Sequence, residues 1–197
     1  MSDARARKAE LRAHLLKARR GLTADERQAA SVALGQRVRD LPELATAGTV
    51  AAYLSMGTEP GTRQLIGALR NAGTRVLLPV LLADNDLDWA EYRGPGTLER
   101  TPRGLLEPTG ERLGPHSITE AHVLLLPGLA VDAHGARLGR GGGSYDRVLA
   151  RLRRMGAPPP FILLLYAHEV VESVPREPHD HLVDAAITPA AMHRFTR

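Results

Sequence analysis

Apolar positions along the chain follow two rhythms. Short unbroken apolar runs at residues 49–54, 76–82, 123–126 and 161–166 are bounded by glycine, proline or charge, and read as buried strands. Residues 87–92 alternate apolar and polar and predict a short, half-exposed strand; residues 185–188 predict a last short one. Between these runs the apolar residues recur at three- and four-residue steps. Ala4, Leu11, Leu15, Ala18 and Leu22 share one face of a helix predicted over 3–20, with Gly21 as its stop. Ala30, Leu34, Val38 and Leu41 give a second helix its buried face, opened by the capping box Thr23-Ala-Asp-Glu26 and running to about Asp40. Thr62 is placed to cap a third helix through Leu65, Ile66 and Leu69 to Asn71. Tyr145, Val148, Leu149 and Leu152 mark a fourth over 144–155.

Strands that alternate with helices call for a mostly parallel sheet covered on both faces. The fold class expected is therefore α/β: one domain over 1–197, a three-layer open sheet with helices on both sides, of the Rossmann-like kind. Pro79 inside the second apolar run suggests a strand end or a bulge. Residues 93–116, rich in Gly, Pro and charge, form a long excursion suited to a wall or lid. A proline triplet at 158–160 makes a rigid connector, and no internal repeat is present.

Composition narrows the function classes. There are 197 residues, enough for one domain with a real core. No cysteine is present, which excludes disulfides, thiolate zinc sites and cysteine nucleophiles and fits a cytoplasmic setting. No apolar run reaches about 18 residues, so no membrane partner is expected, and the charged start is unlike a secretory signal. The net charge is +4, much of it arginine. With two Phe and one Trp there is little to stack single strands on, and no nucleic acid partner is expected. Ligands bearing phosphate account for the charge most economically.

The segment at 123–146 organises the rest. A buried strand ends in Pro127-Gly128, and five glycines then fall between Gly135 and Gly143, directly before the fourth helix. Clustered glycine costs backbone entropy and calls for a reason. A glycine loop feeding a helix start offers unpaired N–H groups and the positive dipole end to an anion. Arg137 and Arg140 add forked donors suited to phosphate, and Asp146 stands where a carboxylate could hold Mg²⁺ beside it. The plain alternative is a surface loop with solvated arginines. The Walker A pattern is excluded because no lysine stands before Ser144. The dinucleotide fingerprint fails because its third glycine falls on Ser144 and a dozen or so residues separate it from the strand.

Residues 127–146 closely resemble the signature of the 5-formyltetrahydrofolate cyclo-ligase family: Pro-Gly, a short apolar-Asp stretch, then Gly-x-Arg-Leu-Gly-x-Gly-x-Gly-aromatic-Tyr-Asp. One departure is clear, Ser144 in place of an aromatic residue. Collinear matches extend from Lys8 to Thr188, among them Gly104-Leu-Leu-Glu-Pro108, to which no role is carried over. The resemblance implies ATP- and Mg²⁺-dependent conversion of 5-formyltetrahydrofolate, with or without a polyglutamate tail, to 5,10-methenyltetrahydrofolate with release of ADP and phosphate, in a monomer. It implies ATP contacts at Lys8, Arg12, Arg137, Leu138, Gly139, Arg140, Gly141, Gly142, Gly143, Ser144 and Tyr145. Lys8 and Arg140 would stabilise charge during phosphoryl transfer. It implies folate contacts at Leu54 and Glu59, and Mg²⁺ ligands at Asp146 and Asp184. A carboxylate at Glu59 suits the N–H groups of a pterin, since it only accepts hydrogen bonds. Serine at 144 cannot pack over a ligand as an aromatic ring would, which predicts weaker substrate contact or compensation by Tyr145, Trp89 or Tyr92.

Without the family, Arg5, Lys8, Arg12 and Arg19 read as a solvated basic stripe, and Glu59 as a loop carboxylate. His168, His179 and His181 lack a full ligand set at zinc spacing and read as structural or incidental. The alternative function is a non-catalytic α/β protein that binds a nucleotide or sugar phosphate.

Overall fold

The computed structural model describes residues 3–178 and 180–196; His179 lies outside them. Helix α1 (Asp3–Gly21) is followed by α2 (Ala24–Arg39) and one turn, α3 (Pro42–Ala45). Strand β1 (Thr49–Ala51) leads through a loop to α4 (Arg63–Asn71), then β2 (Arg75–Leu81) and β3 (Leu87–Glu91). The excursion carries a hairpin, β4 (Leu98–Arg100) with β5 (Leu106–Pro108). Strand β6 (Val123–Pro127) precedes a small ribbon, β7 (Ala130–Val131) with β8 (Arg137–Leu138), and α5 (Ser144–Arg153). Strands β9 (Phe161–Leu164), β10 (Ala185–Ile187) and β11 (Met192–Arg194) complete the chain.

The seven-stranded sheet has the order β11-β10-β9-β6-β1-β2-β3. Its five inner strands are parallel, while β3 and β11 are antiparallel edges. From β1 the chain first adds β2 on one side, then returns to add β6 on the other. The topological switch point therefore lies between β1 and β6, and in open sheets ligands bind at the carboxyl ends of such strands.

Alternation along the strands divides the core. Val123 and Leu125 pack with α2 and α4 through Leu34, Val38, Leu65 and Ile66. Leu124 and Leu126 face the opposite way, onto Val148, Leu149 and Leu152 of α5. The capping box forms: Thr23 Oγ1 accepts the Glu26 N–H at 3.2 Å, and Glu26 accepts the Thr23 N–H at 2.7 Å. Helix α1 stands apart from both layers. Its Leu15 packs on the ribbon, against Ala130 and Leu138.

Three local expectations change. Strand β3 is buried rather than half-exposed, because the 3₁₀ turn Pro115–Glu120 and α5 cover it; Trp89 is wholly inside the core. Thr62 precedes α4 but does not cap it with its side chain. Its hydroxyl donates to the Tyr53 carbonyl at 2.6 Å and accepts the Ser55 N–H at 2.9 Å, stitching the loop after β1. Pro79 sits within β2, past its last pairing with β1 at Leu77, where no ladder N–H is needed on that side.

Candidate active site

Two cavities meet at the carboxyl edge of the sheet and share one wall. The first, about 280 Å³, lies at the switch point. Its floor comes from the ends of β1 and β6, through Tyr53, Leu54 and Pro127-Gly128. The loop after β1 contributes Met56 and Glu59, and the far side is Pro79, Leu81 and Leu87. Leu105, Leu106 and Glu107 of the excursion close it, so that segment is a wall. Glu107 anchors there by accepting the Leu81 N–H at 2.9 Å. The second cavity, about 390 Å³, is polar. Arg5, Lys8 and Arg12 of α1 face Glu177 and Asp180 across it.

The shared wall is the glycine segment. Arg137, Gly139, Gly141, Gly143 and Asp146 line both cavities. Gly141 (φ +98°) and Gly143 (φ +76°) hold conformations that side-chain-bearing residues rarely adopt. Gly143 occupies the position before α5, so the loop delivers the helix start, with its unpaired N–H groups, to the cavities. Arg137 is buried to 8 % exposure, donates to the Pro127 carbonyl at 3.3 Å, and pairs with Asp146. Arg12 donates to the Gly139 carbonyl at 2.8 Å, tying α1 to the loop.

Charge on the polar side is arranged in opposed sets. Lys8 Nζ donates to Asp180 at 2.6 Å and Glu177 at 2.8 Å. Burial acts to lower its pKa, but the hydrogen bonds and attraction of these two carboxylates outweigh it and raise the value, so Lys8 stays charged. On the other side Arg140, exposed on the loop, reaches Glu59 at 3.2 Å, and Glu59 also accepts the Met56 N–H at 2.9 Å. The pair links the loop after β1 to the glycine segment.

A buried ion pair fixes the frame. Arg19, 1 % exposed, donates to Glu169, which has no exposure, at 2.5 and 3.0 Å, and to the Gly128 carbonyl at 2.5 Å. Helix α1 is thereby bolted to the turn that floors the first cavity. The basic stripe of α1 consequently turns partly inward: Lys8 and Arg19 are buried and Arg12 half-buried, while Arg5 is exposed.

The fold gathers Leu54, Glu59, Arg137, Gly139, Arg140, Gly141, Gly142, Gly143, Ser144, Tyr145 and Asp146 around the first cavity, and Lys8, Arg12 and Leu138 around the second. It does not bring Asp184 to either. That residue stands before β10, at the amino edge of the sheet, where its carboxylate accepts the Phe161 N–H at 2.8 Å. Burial raises its pKa against the opposing effect of that bond. Asp180 and Glu177, which the sequence did not single out, line the polar cavity instead, as does Arg5. Of the three aromatic residues offered as substitutes near Ser144, Tyr145 lines the cavity, while Trp89 and Tyr92 belong to the core.

The described residues contain no cluster of three His, Asp or Glu fit to hold a metal alone. Mg²⁺ on a nucleotide needs less: one or two carboxylates, with phosphate oxygens and water completing the shell. Asp146 and Asp180, both on the polar cavity, are carboxylates of that kind; here Asp146 pairs with Arg137 and Asp180 accepts from Lys8.

A sequence model described as the 5-formyltetrahydrofolate cyclo-ligase family matches residues 4–189. A 5-formyltetrahydrofolate cyclo-ligase of Mycolicibacterium smegmatis is 40% identical over 189 residues, covering 92% of this chain and 93% of that protein. The Escherichia coli K12 protein of the same name is 34% identical over 176 residues, covering 87% and 94%. Among solved structures, the Aquifex aeolicus 5,10-methenyltetrahydrofolate synthetase superposes with a TM-score of 0.82 at 28% identity, covering 96% of this chain and 93% of that one. With two cavities divided by the glycine segment, and with relatives matching along nearly its whole length, the chain belongs to the 5-formyltetrahydrofolate cyclo-ligase family and is an enzyme of that family.

Proposed function

We propose that this enzyme binds 5-formyltetrahydrofolate in the first cavity and ATP with Mg²⁺ in the second, and forms 5,10-methenyltetrahydrofolate, ADP and phosphate. The observation that carries the reading is the shared wall: Arg137, Gly139, Gly141, Gly143 and Asp146 line both cavities, so a phosphate chain on one side can reach a substrate atom on the other.

The chemistry explains why two substrates must meet. The N5-formyl carbon is amide-like, and its oxygen is a poor leaving group. Transfer of the γ-phosphoryl forms an O–P bond at that oxygen and breaks the bond to ADP. N10 then adds to the activated carbon and loses its proton. The C–O bond breaks, phosphate departs, and the ring is closed as the methenyl cation. Phosphoryl transfer of this kind depends on positioning and charge stabilisation more than on covalent help. Lys8, Arg12 and Arg137 are the cations for the phosphates, with loop N–H groups before α5. Arg140 exchanges Glu59 for phosphate, and Glu59 then receives the pterin N–H groups. Asp146 and Asp180 would hold Mg²⁺, which would supply positive charge to offset that of the phosphates. No side chain serves as a nucleophile. A monomer in the cytoplasm, folded as one domain, suffices for this scheme.

The test follows methenyltetrahydrofolate absorbance and ADP together, with purified protein, 5-formyltetrahydrofolate, ATP and Mg²⁺. Equal amounts of product and ADP are expected. Arg140→Ala should reduce kcat by about 10²–10³-fold, the usual effect of removing one stabilising donor. ADP without methenyl product, or full rate in Arg140→Ala, would contradict the proposal.

A further inference from the structure

Tyr53 follows β1 and lines the folate-side cavity, yet it is 4 % exposed and its hydroxyl has no hydrogen-bond partner among the described residues. Buried hydroxyls are almost always paired, and leaving one unpaired destabilises the fold. The rest of the loop is fully stitched: Thr62 accepts Ser55, Glu59 accepts Met56, and Tyr166 donates to the Thr58 carbonyl at 3.2 Å. The unpaired group is thus a local exception in a tightly bonded loop. Its neighbours decide its character. Burial, and next the Glu59 carboxylate, push its pKa well up against the pull of Arg19, so the phenol keeps its proton and can donate.

Glu59, ionised, can only accept hydrogen bonds. A flat heterocycle that gives it N–H donors and also carries a carbonyl on the adjoining ring atom would present an acceptor beside them. A phenol donor complements that acceptor; a second carboxylate would repel it. Resting on the folate reading above, we infer that Tyr53 is a specificity-determining residue whose hydroxyl donates to the ring carbonyl of the bound pterin while Glu59 takes the neighbouring N–H groups. Tyr145, the second residue of this cavity with an unpaired buried hydroxyl, likewise lines only the folate side, but it stands on α5, whereas Tyr53 stands at the strand end that leads into the loop carrying Glu59.

The experiment compares Tyr53→Phe with wild type in three readouts. The KM for 5-formyltetrahydrofolate should rise about three- to ten-fold, the worth of one neutral hydrogen bond, with the KM for ATP unchanged. Melting of the free protein should be unchanged or higher, since the variant removes a group that made no bond. The rise in melting temperature caused by saturating 5-formyltetrahydrofolate should shrink. An unchanged folate KM overturns the inference, as does a free variant that melts lower than wild type, because a hydroxyl with a structural role would behave that way. Wild-type protein that neither binds nor converts 5-formyltetrahydrofolate overturns the folate reading, and the inference with it. Active wild type with an indistinguishable Tyr53→Phe removes the inference alone.

Discussion

Asp180 and Asp184 are four residues apart, and the fold gives them different surroundings. Asp180 accepts Lys8 on the wall of the polar cavity; Asp184 accepts a backbone N–H at the start of β9. Strand β10 begins at Ala185, so a residue just before it must lie at the amino edge of a parallel sheet. Ligands of such sheets bind at the other edge. That rule, applied to the sequence, would have favoured Asp180 over the position that family resemblance alone suggested. Asp180→Asn should raise the Mg²⁺ concentration for half-maximal rate by roughly ten-fold or more, since even outer partners of a metal are worth that much. Asp184→Asn, which keeps an oxygen for the Phe161 N–H, should leave the Mg²⁺ requirement where it was. Titrating Mg²⁺ against initial rate checks both, and a shift in Asp184→Asn without one in Asp180→Asn would reverse the assignment.

At the scale of elements, α1 is the part whose role depends most on tertiary context. Its periodicity predicted an apolar face, and the observed buried residues include Lys8 and Arg19. No helical wheel distinguishes a solvated arginine from one that meets a buried glutamate 150 residues later in the chain. The short-range signals were legible by contrast. The capping box at Thr23 formed as read, because it involves residues three apart. The burial of β3 was not legible, because its cover comes from a 3₁₀ turn and α5, both distant in sequence. The Arg19–Glu169 pair gives α1 its own prediction. Arg19→Met should cost about 3–5 kcal/mol by urea unfolding, because it strands a buried carboxylate. Replacing both partners with apolar residues should recover much of that loss. The single variant should also raise the KM for ATP, since Lys8 and Arg12 ride on the same helix. Equal stability of Arg19→Met and wild type would show that the pair does not hold α1 in place.

Across the whole molecule, the strand and helix rhythm was enough to predict a mostly parallel sheet with helices on both faces, and the switch point then follows from the strand order. The glycine segment was legible as a loop that feeds a helix start because its residues are contiguous. Its second task, dividing two cavities, was not, since the opposing walls come from α1, the loop after β1, the excursion at 93–116 and residues 177–180. Those walls meet only after folding. No helix among the described residues is long and apolar enough to cross a membrane.

The division of labour between the cavities is most directly tested by a crystal structure with a non-hydrolysable ATP analogue, Mg²⁺ and 5-formyltetrahydrofolate. The triphosphate should lie between α1 and residues 139–143, the pterin against Glu59, and the γ-phosphate and formyl oxygen should face each other beside Arg137. Nucleotide bound away from α1 and the glycine segment, or both ligands crowded into one cavity, would contradict the assignment.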